Sequence, residues 1–260
     1  MVGDGRANPV NPAVAEEAWW GIGAPTAGGV LIVGDHASNI VPADIDLGIA
    51  PALLNQHIAV DIGVAEVARL LVESGAADTG FLAGVSRLVI DLNRDASAPG
   101  LIPLTSDGHT IPGNAVDAAQ RAERIARFYK PYHDKLAQII ALARPALILS
   151  LHSFTPALSG ASPADRPWQV GILYNQDDRA ARIAIPLLAD AGLCVGDQLP
   201  YSGKTLNHTM NVHAEAHAIP YLGVEMRQDL VADGAGQRQM VQILAQILRP
   251  ICRHFAPPAR

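Results

Sequence analysis

His36 follows the apolar run Gly29-Val-Leu-Ile-Val-Gly34 by one residue, and His152 directly follows Ala146-Leu-Ile-Leu-Ser-Leu151. A lone histidine after such a run is usually a hydrogen-bonded loop residue, but two in equivalent places point to a shared task. Imidazoles with a carboxylate are the usual protein ligands of a catalytic zinc, which takes three and keeps a fourth position for water. Asp61, in His57-Ile-Ala-Val-Asp61-Ile-Gly63, is the preferred third ligand, as an acid inside an otherwise apolar helical face. Its competing reading is a helix N-terminal or surface charge. Asp35 is a weaker choice, because adjacent residues at a strand end point in opposite directions. The implied cofactor is one divalent ion, Zn2+ by ligand type, although iron, cobalt or manganese accept the same nitrogen and oxygen donors.

Glu225 ends the run Tyr221-Leu-Gly-Val224. A carboxylate at the end of a buried strand is costly without a partner or a task. The partner would be Arg227, two residues on; the task would be general base and acid in a hydrolysis. Arg87, Arg94 and Arg227 lie beside strand ends, and planar guanidinium forks suit a substrate carboxylate. Asn93 offers a further donor, and Arg94 has a competing pairing with Asp91 or Asp95.

Other chemistries fit less well. There is no G-x-S-x-G elbow, no G-x-G-x-x-G after a strand, no phosphate-binding G-x-x-x-x-G-K-[ST] and no H-E-x-x-H. His208, His213 and His217 suggest a cluster by spacing, but His217 reads as an exposed helix residue and His133 as helix packing. Cys194 and Cys252 are the only cysteines, in no metal-type spacing, and read as packing residues.

The elements that must position these residues alternate β-branched apolar runs with helical patterns, the signature of a mostly parallel sheet covered by helices. Strands are expected at 29–34, 81–83, 87–90, 146–151, 169–174 and 220–224. Helices are expected from Pro51 to about Gly75, from Ala115 to Ala143 with a kink at Pro131, over 178–191, and over 236–254. Stretches 93–114, 155–167 and 196–211 read as functional loops. Ligands of such sheets bind beyond the carboxyl ends of the strands, where these polar residues fall. The 260 residues, 49% of them hydrophobic, read as one domain with an extension over about 1–25. A formal net charge of −6 without long runs of one sign argues against a nucleic-acid partner. No apolar run approaches membrane-spanning length and Met1–Pro12 lacks a signal pattern, so the expected location is cytoplasmic, with no membrane partner.

Several motifs together resemble the N-formylglutamate amidohydrolase family. They are Asp35-His36-Ala37-Ser38-Asn39 with Pro42, Asp61-Ile-Gly63, Ser86-Arg87-Leu-Val-Ile-Asp91-Leu-Asn93-Arg94, Leu151-His152-Ser153-Phe154, Gly196 to Gly203, His213-Ala214-Glu215, and Glu225-Met226-Arg227-Gln228-Asp229-Leu230. The resemblance runs from about Val30 to Val231, and its most specific element is Ser-Arg-x-x-x-Asp-x-Asn-Arg. It implies a three-layer fold like that of zinc-dependent exopeptidases, with a mixed, mainly parallel sheet between helices. It implies hydrolysis of a small N-formyl or N-acyl amino acid, N-formyl-L-glutamate among them. Carried over by motif, His36 and His152 become metal ligands, Glu225 the acid/base, Arg87, Arg94 and Arg227 substrate or site-organising groups, and His213 a proton or oxyanion partner. The assignment of Asp61 is an inference from its place in the chain. One departure is that the family's formylglutamate enzymes begin with a proline-histidine-small-glycine element, where this chain has Asp35-His36-Ala37-Ser38, which suggests a sister branch. The competing readings are a zinc amidase of peptide or peptidoglycan fragments and a non-catalytic binder of small acids.

Overall fold

A computed structural model describes residues 17–160 and 165–255. Most of the expected N-terminal extension (1–16), part of the 155–167 loop (161–164) and residues 256–260 lie outside the described residues. Seven strands form one mixed, mainly parallel sheet: β1 (Trp19–Gly23), β2 (Val30–Gly34), β3 (Thr79–Ala83), β6 (Leu147–Phe154), β7 (Val170–Leu173), β8 (Val195–Asp197) and β9 (Tyr221–Arg227). Their spatial order is β1-β3-β2-β6-β9-β7-β8, and the short hairpin of β4 (Thr105–Ser106) and β5 (His109–Thr110) stands apart. Strands β3, β2, β6 and β9 run parallel to one another, β1 pairs antiparallel with β3, and β7 runs antiparallel to β9.

All residues of β2 and β6 are buried. That explains their uninterrupted apolar character, since a central parallel strand is covered on both faces. Around the sheet lie α1 (Val64–Glu73), α2 (Ala118–Arg124), α3 (Lys130–Ala143), α4 (Arg179–Asp190), α5 (His208–His213) and α6 (Gly234–Phe255). Helix α6 packs against α1 and α4, and α3 against α5. Asp117 caps α2 through a reciprocal bond pair with Gln120. A π-turn at Ile125–Tyr129 joins α2 to α3, so the expected break falls just before Pro131. That location suits a residue that cannot donate to a preceding carbonyl.

Four expectations are corrected. Residues 87–90 are not a strand but a turn: Val89 N donates to Ser86 O at 2.9 Å, and Leu88, Val89 and Ile90 are fully buried. The run is apolar because it is covered, and burial alone does not distinguish a strand from a packed turn. The single helix expected over 51–75 is a 3-10 turn at Pro51–Asn55 and a separate helix α1, so Asp61 precedes the helix instead of lying on its face. Trp19–Gly23, placed by sequence in the extension, form the edge strand β1. Cys194 is exposed and so contributes little packing.

Candidate functional site

The parallel register of β6 and β9 sets His152 opposite Glu225 at the carboxyl ends of both strands. The next parallel neighbour, β2, ends at Gly34, so the chain delivers Asp35 and His36 to the same edge. Asp61 reaches it from a turn whose backbone is tied to that edge, Asp61 N donating to His36 O at 2.9 Å. The chain then needs a left-handed residue to enter α1, and Gly63 supplies it with φ 83°. A Cβ there would sit 2.5 Å from the carbonyl oxygen of Val231. Glycine is therefore required by both conformation and space.

His36, Asp61 and His152 are all buried, and a set of their ligand atoms lies within 4.8 Å of one another. Each imidazole has a second carboxylate behind it. His36 Nε2 donates to Asp91 Oδ1 at 2.7 Å, so in a neutral ring Nδ1 is the acceptor. That acceptor faces Asp61 Oδ2 at 3.6 Å and has no hydrogen-bond partner. Two lone-pair atoms facing each other in a buried site repel unless a cation lies between them. His152 sits with Nδ1 3.0 Å from Asp61 Oδ2 and Nε2 3.6 Å from Asp35 Oδ2. Asp35 is held in turn by the Tyr132 hydroxyl at 2.7 Å and the Thr209 hydroxyl at 3.0 Å. Ligands backed by outer carboxylates are the arrangement that orients imidazoles on a metal. The donor set, its unpartnered buried atoms and its outer shell thus fit a divalent cation.

The electrostatics agree. Burial disfavours the charged forms of Asp61 and Asp91, but the Arg87 guanidinium beside Asp61 and the His36 ring beside Asp91 outweigh it and lower both carboxyls. Burial would lower His152, but Asp35 and Asp61 overcome it and raise the ring to about 10. A site that draws a proton this strongly is built for positive charge. Glu225 moves the other way: burial, opposed by the charge of His152 and reinforced by Asp61, raises it to about 7. Its Oε2 is buried and has no hydrogen-bond partner.

These groups open onto a cavity of about 1000 Å³ including its solvent-filled mouth. His36, His152 and Glu225 lie in its wall with Arg87, Asn93 and Arg94, joined by Phe154, Thr155, Leu158 and Tyr201. Arg87 Nη2 donates to Asp61 Oδ1 at 2.6 Å, and Arg94 Nε to Asp91 Oδ2 at 3.1 Å. The competing pairing of Arg94 with Asp91 is therefore present, but both guanidiniums still border the cavity. Asn93 turns its Oδ1 to Thr209 N at 2.9 Å. His57 and Asp107 pair at 2.8 Å on the rim, and Asp107 also accepts from Ser159. That contact ties the β4–β5 hairpin to the 155–167 loop.

Two residues selected from sequence lie elsewhere. Arg227 makes a double contact with Asp229, at 2.7 and 3.1 Å, instead of pairing with Glu225. His213 is buried outside the cavity lining, stacked on His133 with ring centroids 5.1 Å apart. Sequence reasoning gave no weight to Asp91 as a support of His36, nor to Tyr132, Tyr201 or Thr209. The signal for Asp91 was its spacing from Arg94; the others come from distant segments and had none.

The sequence profile described as N-formylglutamate amidohydrolase matches residues 28–232. No curated protein matches the chain. Among solved structures, the gene product Atu2144 from Agrobacterium tumefaciens is similar over 93% of this chain and 97% of its own, with 31% identity and a TM-score of 0.86. The N-formylglutamate amidohydrolase from Ralstonia eutropha JMP134 is similar over 91% of this chain and 97% of its own, at 20% identity and a TM-score of 0.67. At that identity the second likeness speaks for the fold.

Proposed function

The chain belongs to the N-formylglutamate amidohydrolase family and is a hydrolase of amide bonds, and from that premise we propose that it cleaves a small N-formyl or N-acyl amino acid with the help of one divalent cation. N-formyl-L-glutamate is the reference member of that substrate class. The observation that carries the reading is the buried, unpartnered Nδ1 of His36 facing Asp61 beside His152, with an uncommitted Glu225 oxygen on the neighbouring strand. His36, Asp61 and His152 would hold the ion, with zinc first by ligand type. Bound there, it would lower the pKa of a water molecule and polarise the scissile carbonyl.

The chain's own groups do the rest. Glu225, raised to about 7, is matched to taking a proton from the attacking water near neutral pH and giving it to the leaving nitrogen. The C–N bond breaks as that proton arrives, releasing the acid and the free amine of the amino acid. Arg87, half-buried against Asp61 and open to the cavity, fixes the position of Asp61 and offers its remaining N–H groups to the substrate. Asn93 and Arg94 border the same space and are assigned to substrate binding. His213 and Arg227 act from outside the cavity, His213 by supporting the floor through His133 and Leu92, and Arg227 by fixing the end of β9. The test is metal content of untagged protein alongside a His36→Ala/His152→Ala double variant, followed by turnover on N-formyl amino acids. Near-stoichiometric metal lost in the variant is expected. Metal-free protein inactive on every N-formyl amino acid after added zinc would overturn the reading.

A further inference from the structure

The cavity wall has an apolar part that no step of the hydrolysis uses. Phe154, Leu158, Tyr201 and Leu206 line it beside the ionisable groups. They come from two segments, 154–158 at the end of β6 and 201–206 ahead of α5, which meet at one buried side chain. Arg166 donates from Nη1 to Thr155 O at 3.1 Å, and its guanidinium carbon lies 5.0 Å from the centre of the Tyr201 ring and 6.0 Å from that of Phe154. Arg166 is not itself part of the lining; it presents the cavity with the two rings it lies against. Phe154 shares its strand face with His152, two residues earlier, so the apolar part begins next to the cluster that carries the chemistry. Leu158 is 38% exposed. A large apolar side chain left open in the wall of a cavity marks a surface that a ligand covers.

The charged part of the wall is balanced. Arg87 faces Asp61 at 2.6 Å, Arg94 faces Asp91 at 3.1 Å and, on the rim, His57 faces Asp107 at 2.8 Å. Among the described residues no lysine lines the cavity. The remaining guanidinium N–H groups can orient one carboxylate, but no further cation in the lining answers a second. A carboxylate pressed against Phe154, Leu158 and Leu206 would lose its water without a partner, which is costly. An apolar group of the same size would be favoured there, because it leaves water for apolar surface. We propose that the site takes an N-acyl amino acid bearing an apolar group, held against Phe154, Leu158, Tyr201 and Leu206, in preference to one bearing a second carboxylate. The proposal rests on the reading of this cavity as an N-acyl amino acid site and narrows its substrate class. The side chain and the acyl group can both supply that apolar chemistry, and the experiment separates them.

The experiment compares kcat/KM of the wild-type protein, supplied with zinc, on four compounds. N-formylglycine is the reference. N-formyl-L-leucine adds an apolar side chain, N-butanoylglycine an apolar acyl chain, and N-formyl-L-glutamate a charged side chain. At least one of the two apolar additions should exceed N-formyl-L-glutamate by about 10-fold or more, since each methylene in a fitted apolar site contributes severalfold. The compound that does so gives the position of the apolar group. Leu158→Asn and Leu206→Asn, made singly, should cut that preference by about 3- to 10-fold, raising KM for the apolar compound more than for N-formylglycine. Leu158 is exposed in a loop, so its variant decides the matter if Leu206→Asn does not fold. A preference for N-formyl-L-glutamate, a smaller apolar preference, or one that both variants leave intact would overturn the proposal while amide hydrolysis stands. A wild type that cleaves none of the four would overturn the underlying reading, and with it this inference.

Discussion

His36 donates from Nε2 to Asp91 Oδ1 at 2.7 Å while its Nδ1 faces Asp61 Oδ2 at 3.6 Å, so one ring joins an outer carboxylate to an inner one. The outer contact sets the tautomer that makes the inner nitrogen a donor of electrons. Removing it in Asp91→Ala leaves the ring free to rotate and to protonate the wrong nitrogen. Metal affinity should fall about 10- to 100-fold, the usual effect of losing an outer-shell partner. Competition with a chelator of known affinity measures it; unchanged affinity would show that His36 is held by other means.

Glu225 carries the proton-transfer prediction. Glu225→Gln keeps the shape and removes the base, so turnover should drop by at least about 10²-fold while bound metal is unchanged. The pH dependence has a definite sign. The base works deprotonated, so kcat/KM should fall as pH drops through its pKa, which burial raises to about 7. A bound cation would draw that limb lower, so its position should differ between metals. A flat profile from pH 5 to 8 would remove Glu225 from the role.

How much of this was readable in sequence depended on how each residue is placed. His36, His152 and Glu225 follow runs buried on both faces, and such runs announce themselves as central strands. The ends of parallel strands then bring residues together without any need for loop geometry. Arg87 was chosen from a misassigned element, because Leu88–Ile90 are apolar whether they form a strand or a covered turn. Strand β1 escaped notice because two of its five residues are exposed and two are glycines, as suits an edge. Asp35 was judged by the alternation of strand-end side chains, a rule that ceases once the chain leaves the strand.

Gly63 is the local hinge on which Asp61 depends. Its left-handed backbone and the Val231 carbonyl 2.5 Å from a built Cβ leave no room for a side chain. Gly63→Ala should lower unfolding free energy by at least about 1–2 kcal/mol. Because the strain acts two residues from Asp61, it should weaken metal binding as well. Urea denaturation and metal titration of the same variant test both; an undisturbed variant would show that α1 can shift to absorb the change.

His213 yields a prediction about stability and pH. His133 Nε2 donates to the Leu92 carbonyl at 3.0 Å, so in a neutral ring its Nδ1 accepts, and the 2.9 Å contact with His213 Nε2 makes His213 the donor. A proton added to His133 Nδ1 sets two N–H groups against each other, whereas one added to His213 goes to its Nδ1 and puts a charge into the buried pair. Burial, with the charge of His133 next, lowers His213 to about 4, and burial also lowers His133. In the unfolded chain both titrate near 6.5, so below that pH the unfolded state binds protons that the folded state refuses. The stability these rings contribute is therefore complete above about pH 6.5 and is lost as pH falls toward 4. The limiting slope for one proton is about 1.4 kcal/mol per pH unit, and partial access to solvent reduces it. In His213→Gln, whose amide can still donate to His133, the drop in unfolding free energy between pH 7 and 5 should be smaller than in the wild type. Equal drops in the two proteins would mean that His213 takes its proton while folded, and that the stacked pair opens without unfolding the chain.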